Sequence, residues 1–258
     1  MRLLVDAKNL DYRKLNSKVR KFLSGNGANA VITIKNVLGQ RYIGDGLKSA
    51  AYINIHGTPG NDLGAFMDGT TIEVLGNGQD GIGNTMNSGK IIIHGDAGDI
   101  VGYSMRGGEI YIEKNIGFRG GIHMKSYLEK VPVIVIGGSA GNFLGEYMAG
   151  GIIILLGIYK RERQFFPYSG NSDIAGNYIG TGMHGGRIYI RGDIDGYKLG
   201  KEVKKTGLDN DDLYLLDKYI SNYNKLFNSN KIKTPVGNSG FIKLMPYSHR
   251  PYGKLYAY

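Results

Sequence analysis

The chain has 258 residues, of which 42 are glycine and none is cysteine, and its formal net charge at pH 7 is +10. The absence of cysteine excludes disulfide bonds, a cysteine nucleophile and cysteinyl iron–sulfur ligation within this sequence. Residues 1–48 and 157–258 each carry a net charge of +7, whereas residues 49–156 carry −4, so the continuous basic stripe of a nucleic-acid groove is missing. No apolar run reaches membrane-spanning length, and the N-terminus lacks the apolar core of a signal peptide. We therefore predict a cytoplasmic protein that binds neither nucleic acid nor membranes.

Residues 1–30 are predicted to form a helical cap. Asp11 is a candidate N-cap for a helix that carries Leu15, Val19 and Leu23 on one face and ends at Gly25. The many basic residues of this helix are interpreted as its solvated face. The first strand is expected immediately afterwards, at residues 31–34.

A repeat with a period of nineteen residues begins at Ile53 and continues to Met124. Each repeat opens with an alternating apolar triplet, which is typical of a short strand with one buried face. A Gly-x-x-Met unit follows, and glycine interrupts every window long enough for a helix. Strands at a constant period without helices between them predict a parallel β-solenoid whose coils stack about 4.8 Å apart. The regular glycines are Gly64, Gly83, Gly102 and Gly121, and the regular methionines are Met67, Met86, Met105 and Met124.

The same unit recurs outside the regular region, at Gly145 with Met148 and at Gly180 with Met183. The spacing increases there because residues 125–131 and 158–173 are inserted, and we interpret both segments as loops. Residues 31–193 are thus predicted to form an all-β solenoid of about seven coils. The glycines are expected at corners with positive φ or close backbone approach, and the methionines inside those corners.

Residues 194–258 lie beyond the repeat and are predicted to contain a helix, from residues 209–212 to Phe227, and a tyrosine- and proline-rich arm. Ile92, Ile134 and Ile153 are assigned to outward strand positions, although they are apolar. We expect either the C-terminal segment or a partner protein to cover them.

One further column follows the Gly-x-x-Met unit and contains several cationic residues. Arg106, Lys125 and His184 occupy this column, and His123 is close to it. These four residues are candidates for holding an anion or an acidic partner. The alternative interpretation is a solvated ladder along one corner of the solenoid, and we find no metal-ligand spacing among the histidines.

Two short motifs match catalytic or nucleotide-binding patterns. Residues 76–81 fit G-x-G-x-x-G, but a dinucleotide site requires a helix after the last glycine, and none is predicted. Residues 137–141 fit the nucleophile motif G-x-S-x-G around Ser139, which requires a strand, a turn and a helix. A stand-alone β-helix hydrolase, with Ser139 as nucleophile and His123 or His184 as base, is the enzymatic alternative.

The serial units resemble the GXGXG repeat, which forms the C-terminal domain of the glutamate synthase large subunit and also occurs in one of the polypeptides of formylmethanofuran dehydrogenase. The strings GNDLGAFMDG, GNTMNSGKIIIHGDAGDIVGYSMRGG, FLGEYMAGG and GTGMHGG resemble most closely a free-standing version of the glutamate synthase domain. The resemblance covers residues 31–193 well and the flanking segments weakly.

This resemblance implies a right-handed β-helix and a non-catalytic scaffold subunit of a glutamate synthase-type complex. Its partners would be a glutaminase (amidotransferase) chain and a synthase chain, and a homo-oligomer is also possible. FMN and iron–sulfur clusters are expected on the partner subunits, and no catalytic residue or cofactor is expected in this chain. A scaffold of another oxidoreductase, such as formylmethanofuran dehydrogenase, is the second interpretation.

Overall fold

The computed structural model describes residues 1–26, 29–158, 174–229, 231–233 and 240–248. They form one eleven-stranded sheet and two helices. The strands are β1 (Arg2–Asp6), β2 (Val31–Leu38), β3 (Tyr52–Thr58), β4 (Asp68–Leu75), β5 (Ser88–Ile93), β6 (Glu109–Ile112), β7 (Val133–Ile136), β8 (Ala149–Leu155), β9 (Gly185–Arg191), β10 (Val203–Thr206) and β11 (Phe241–Pro246). The helices are α1 (Tyr12–Asn26) and α2 (Asn210–Leu226).

The predicted parallel β-solenoid is confirmed. Strands β1 to β9 follow one another in sheet order, and every neighbouring pair is parallel. The solenoid has about six coils, slightly fewer than the seven that we predicted. No helix in the described ranges is long and apolar enough to cross a membrane.

The N-terminal end contains a strand that the sequence analysis missed. Strand β1 precedes helix α1 and pairs in parallel with β2, so residues 31–34 are not the first strand. Helix α1 therefore forms part of the first coil. The backbone N–H of Lys14 donates to the Asp11 carboxylate at 2.9 Å, as expected for an N-cap, and the predicted apolar face is buried in the core.

A seven-residue turn follows each strand from β2 to β8, and we call the stacked turns the turn face. The seven turns are residues 42–48, 62–68, 81–87, 100–106, 119–125, 143–149 and 178–184. We number the positions within each turn from 1 to 7. Position 3 is always glycine, and position 6 is methionine in all turns except the first, which has Leu47. All these position-6 side chains are buried.

Positive φ occurs at positions 1, 3 and 5 of every turn, and not only at glycine. In turn 62–68, for example, Asp62, Gly64 and Phe66 have φ of 60°, 65° and 56°. The alternation directs successive N–H groups to opposite neighbours. The N–H groups of Asp62 and Phe66 donate to the carbonyls of Asp80 and Asn84 in the following coil, and that of Gly64 donates to the preceding coil. These bonds between turns satisfy backbone groups that a corner would otherwise leave unpaired, and offset the cost of the left-handed residues.

Glycine at position 3 is required by space as well as by φ. At Gly102, with φ of 69°, a Cβ atom would lie 2.5 Å from Cδ1 of Ile134, which points into the core from the next coil. Equivalent close contacts occur at all seven position-3 glycines, each with an isoleucine or valine of a following strand. Positions 1 and 5 point outwards and therefore accept larger residues.

The register corrects our assignment of the outward strand positions. Ile134 and Ile153 pair in register with Ile110 and Ile188 and are part of the core, so their assignment as outward residues was wrong. The outward residues are Val133 and Val135 in β7 and Ile152 and Ile154 in β8. Ile92 is outward, as predicted, because it pairs with Tyr111 in the outward column.

Helix α2 covers the apolar part of the outer sheet face. Its buried residues pack on the outward residues of β6 to β9, so the C-terminal segment does cover apolar outward positions, but these are not the Ile134 and Ile153 that we had named. The helix begins with a capping box between Asp209 and Asp212, as the predicted start at residues 209–212 requires. The buried helix residues are Asp212, Leu216, Tyr219, Ile220 and Tyr223.

A buried ionic cluster anchors the start of α2. Asp212 is fully buried and accepts hydrogen bonds from Lys243 of β11 and, at 2.6 Å, from the Tyr189 hydroxyl of β9. Arg187 lies 3.2 Å from the same carboxylate. Burial alone would raise the pKa of Asp212, but the Lys243 ammonium and the Tyr189 hydroxyl outweigh burial, and its pKa lies below the usual value.

The solenoid ends in an antiparallel pair that belongs to the same sheet. Strand β11 pairs with β9 and β10, so the described residues after 193 are not separate from the solenoid. Gly200 continues the glycine column, because its N–H donates to Ile179, and Val203 fills the space beside Gly180. The arm beyond residue 248 lies outside the described residues.

We predict that Gly102→Val will destabilise the protein strongly. The substitution forces a β-branched residue into left-handed geometry and into the space of Ile134, and we expect a loss of about 3 kcal/mol or more in unfolding free energy. Urea unfolding at neutral pH measures this loss. The matched control is Gly46→Asn at position 5, where φ is 60° and no atom lies within 4 Å of the added Cβ. Similar midpoints for both variants would contradict the role assigned to position 3.

We also predict that Asp212→Asn will cost about 3 kcal/mol at pH 7, because the buried Lys243 then keeps only the exposed carboxylate of Asp209, at 3.2 Å, as its ionic partner. Since the folded pKa is lowered, the contribution of Asp212 is complete above about pH 4 and declines as the pH falls below that value. The difference between wild type and variant in urea unfolding should therefore shrink at pH 2.5. Exposed Asp211→Asn, one residue earlier in the same helix, should cost less than about 1 kcal/mol; a pH-independent difference would refute the assignment.

Candidate functional site

The turn face carries a group of five exposed aromatic side chains. Tyr42 and Tyr178 occupy position 1 of their turns, Phe66 and Tyr147 occupy position 5, and Tyr103 occupies position 4. All five are exposed, and Phe66 and Tyr178 each expose 53% of their surface. Left-handed geometry at positions 1 and 5 turns these side chains away from the core, so a structural feature of the turn produces the surface.

The aromatic residues of the later turns stack on one another. The rings of His123 and Tyr147 are stacked at 5.3 Å with an angle of 9° between their planes, and Tyr103 meets His123 edge-on at 6.0 Å. Phe143 and Tyr178 are stacked at 4.9 Å. Because residues in equivalent positions repeat at the coil spacing, adjacent turns bring their rings into contact. The result is an ordered aromatic surface with little side-chain freedom to lose on binding.

Arg119 connects the aromatic residues to a carboxylate. Its Nε donates to Glu146 at 2.8 Å, and its guanidinium lies 4.9 Å from the centre of the Phe143 ring. Glu146 is buried, whereas 47% of the Arg119 side chain is exposed. The pair therefore holds an arginine in a fixed orientation on the turn face, as in protein interfaces rich in arginine and aromatic residues.

The structure brings three of the four predicted anion-binding residues together. Arg106 and Lys125 occupy position 7 of adjacent turns, and His123 lies in the same turn as Lys125. His184 is separated from Lys125 by a whole turn with Ala149 at position 7, and its Nδ1 lies 3.1 Å from the carbonyl of Gly182. Both Arg106 and Lys125 are exposed, and neither makes an ion pair with any of the described residues. Arg106 and Lys125 form a cationic edge of the aromatic surface, next to His123.

A second polar surface lies on the outer sheet face, over the strands that α2 leaves open. Glu73 accepts a hydrogen bond from the Tyr52 hydroxyl and lies 2.8 Å from His94 Nε2. Burial and the hydrogen bond to Glu73 raise the pKa of Tyr52. His94 also meets Phe227, immediately after α2, edge-on at 5.0 Å. This cluster marks the boundary between the covered and the open parts of the sheet.

Ser139 does not have the geometry of a nucleophile. It is 2% exposed, and its hydroxyl donates to Asn115 at 2.9 Å. Gly137 provides space for Tyr223, whose hydroxyl donates to the carbonyl of Glu113. The described residues that follow the serine, 140–158, contain no helix, so the G-x-S-x-G match reflects packing of a solenoid turn. The G-x-G-x-x-G match at residues 76–81 likewise leads directly into turn 81–87 and not into a helix.

Comparison with known proteins is consistent with this architecture. The sequence profile described as the GXGXG motif matches residues 16–246. The chain belongs to the GXGXG motif family. A 256-residue alignment shows 51% identity with an uncharacterized protein of Methanocaldococcus jannaschii and covers 98% of this chain and 96% of the relative. The resemblance found in the sequence is confirmed at the level of the family.

Side-chain ladders on the GXGXG solenoid were missed by the sequence analysis. Asn77 accepts from the N–H of Asp96, Asp96 accepts from Asn115, and Asn115 accepts from both the N–H and the hydroxyl of Ser139. The signal was available, because the first three residues recur every nineteen positions. The turn-face aromatic residues do not recur at one spacing, and the positive φ of most of them is not indicated by their residue type.

We predict that Asn115→Ala will lower the free energy of unfolding by about 2 kcal/mol, because it leaves the N–H and hydroxyl of Ser139 without an acceptor. Ser139→Ala removes only one of the two donors and should cost about 1 kcal/mol or less. Thermal or urea unfolding of the two variants measures the difference. A larger effect for Ser139→Ala than for Asn115→Ala would show that the ladder is not the main role of this serine.

Proposed function

We propose that this GXGXG protein is a non-catalytic assembly subunit of a cytoplasmic glutamate synthase-type complex, in which it bridges a glutaminase chain and an FMN-containing synthase chain. The proposal rests on one structural observation. Residues in the enzyme-like motifs, such as Ser139, serve the fold, whereas two rigid faces with aromatic and ionic side chains remain open. Such a framework suits the binding and positioning of other proteins.

The two open faces differ in ways that favour different occupants. The turn face is aromatic and carries Arg106, Arg119 and Lys125, whereas the open sheet face presents the polar cluster of Glu73 and His94. They lie on different parts of each coil, so occupation of one face leaves the other accessible. In this proposal FMN and iron–sulfur clusters belong to the partner chains, and the solenoid fixes the distance between them.

The test is reconstitution from purified glutaminase and synthase chains of the same organism, with and without this protein. We expect glutamine-dependent glutamate formation to fall at least tenfold when this chain is omitted, because released ammonia then equilibrates with the solvent. Glutamine hydrolysis and ammonia-dependent synthesis by the separate chains should change far less. Unchanged glutamine-dependent synthesis would refute the bridging role.

Affinity purification of the tagged protein from its own cells provides an independent measurement. We expect a glutaminase chain and a flavin-containing synthase chain to copurify, with flavin and iron–sulfur absorbance in the complex. Recovery of formylmethanofuran dehydrogenase chains in their place would assign the scaffold to that oxidoreductase and overturn the present proposal.

A further inference from the structure

The turn face carries opposite charges in its two halves, at matching positions. In turn 62–68, positions 1 and 7 are Asp62 and Asp68; in turn 119–125, they are Arg119 and Lys125. The Asp68 and Arg119 side chains are 41% and 47% exposed. Asp62 accepts a hydrogen bond from the side chain of Asn84 at 3.0 Å, and Asp68 accepts one from the Ser88 hydroxyl at 2.5 Å. Lys130 comes only within 3.9 Å of Asp68, so neither carboxylate has a close cationic partner among the described residues. Two turns, residues 81–87 and 100–106, separate the acidic pair from the basic pair.

This arrangement is self-complementary under a two-fold rotation. The two-fold axis lies in the plane of the turn face, perpendicular to the long axis of the solenoid, and passes between turns 81–87 and 100–106. Rotation about it places turn 62–68 of one copy opposite turn 119–125 of another, and each position opposite the same position. Asp62 then faces Arg119 of the second copy, and Asp68 faces Lys125. At position 5, the exposed ring of Phe66 faces His123.

We propose that a second copy of this chain docks on the turn face in this antiparallel, two-fold arrangement. The interface is isologous, so each of these contacts occurs twice. At the ends of the contact, Tyr42 faces Phe143 and adds an aromatic pair. Asp45 faces Glu146, and this like-charged pair opposes the contact in part. Glu146 is paired with Arg119 at 2.8 Å in its own chain, whereas Arg20 comes only within 3.9 Å of the Asp45 carboxylate.

Other arrangements of the same face bring like charges together. A two-fold axis parallel to the solenoid exchanges positions 1 and 7 within one turn, so Asp62 would face Asp68 and Arg119 would face Lys125. An antiparallel arrangement centred on turn 81–87 would place Lys48 opposite Lys125, which offsets its one favourable pair, Asp68 with Arg106. An antiparallel arrangement centred on turn 100–106 would place Arg106 opposite itself. Like charges directly opposite each other oppose association. Among these arrangements, only the proposed one combines two opposite-charge pairs, Asp62 with Arg119 and Asp68 with Lys125, with a single like-charged pair.

The area of the face agrees with a specific but modest interface. Six turns at a spacing of about 4.8 Å, with a width of roughly 15–20 Å, give about 500 Å² per copy or about 1,000 Å² in total. This value is near the lower limit for specific protein interfaces, so we expect a dimer that dissociates at micromolar concentration. Salt should weaken it, because the opposed charges remain partly exposed.

The experiment is sedimentation equilibrium of the purified full chain over a concentration range from about 1 to 200 µM at 50 mM and 500 mM NaCl. We expect a monomer–dimer equilibrium that shifts towards monomer at high salt. A protein that stays monomeric at every concentration overturns the proposal. So does a chain that is monomeric alone but binds the glutaminase or synthase chain through Lys125, since a heterologous partner would then occupy the face.

Charge reversal tests the arrangement within the dimer. Lys125→Glu and Asp68→Lys should each raise the dimer dissociation constant about tenfold or more, because each creates two like-charged contacts. The double variant, Asp68→Lys with Lys125→Glu, restores opposite charges across the two-fold axis and should recover most of the affinity. Lys114→Glu is the matched control, since Lys114 is exposed in the same coil but lies outside the turn face.

Two outcomes of the charge-reversal experiment would contradict the proposal. A dimer that is insensitive to Lys125→Glu would form through another surface and overturn the assignment of the face. Two single variants that dissociate, with a double variant that does not recover, would overturn the antiparallel pairing. Each variant should have the same circular dichroism spectrum and melting curve as the wild type, which shows that a loss of association is not caused by a loss of folding.

Discussion

The structure depends on one steric relationship, which is repeated in every coil. The glycine at position 3 of a turn lacks the Cβ atom that would collide with an inward isoleucine of a following strand, as Gly102 does for Ile134. The side chain of the isoleucine fills the corner, and the buried methionine at position 6 closes it from the other side. A close-packed corner without voids therefore requires the glycine at position 3 and the methionine at position 6, at a fixed spacing from each other.

This relationship also explains why the outer surface of each turn is free to vary. Because position 3 faces the core, positions 1 and 5 face outwards, and their left-handed geometry is held by N–H groups that bond to neighbouring turns. Residues as different as Asp62, Ile100 and Tyr178 are accepted at position 1. A rigid backbone thus presents a surface whose chemistry can change from turn to turn. The division of the turn face into acidic and basic halves is one product of that freedom.

Much of the fold was predictable because glycine, methionine and isoleucine recur at a fixed period. The errors arose where that signal is ambiguous. Strands β7 and β8 are apolar on both faces, because α2 covers their outer face. Without alternation of apolar and polar residues, the sequence does not show which residues face the core, and Ile134 and Ile153 were assigned to the wrong face for this reason. Strand β1 was missed because it lies outside the repeat.

The candidate site was less predictable than the fold. The cationic column with Arg106 and Lys125 followed directly from the repeat, but the stacking of His123 on Tyr147 depends on positive φ at two non-glycine residues. Sequence patterns identify left-handed geometry mainly through glycine and asparagine, so these positions gave no signal. The anchor of α2 at Asp212 was also hidden, because its partners Tyr189 and Lys243 are distant in sequence.

The separation of the two open faces determines how a dimer and a scaffold can coexist. The turn face and the outer sheet face occupy different parts of each coil, so antiparallel pairing through the former leaves both outer sheet faces accessible. The two copies then present Glu73 and His94 twice, in orientations related by the two-fold axis. A partner chain that recognises this polar cluster would bind two sites that are equivalent by symmetry. Dimerisation would consequently fix the stoichiometry of an assembly without requiring any contact between the partner chains themselves.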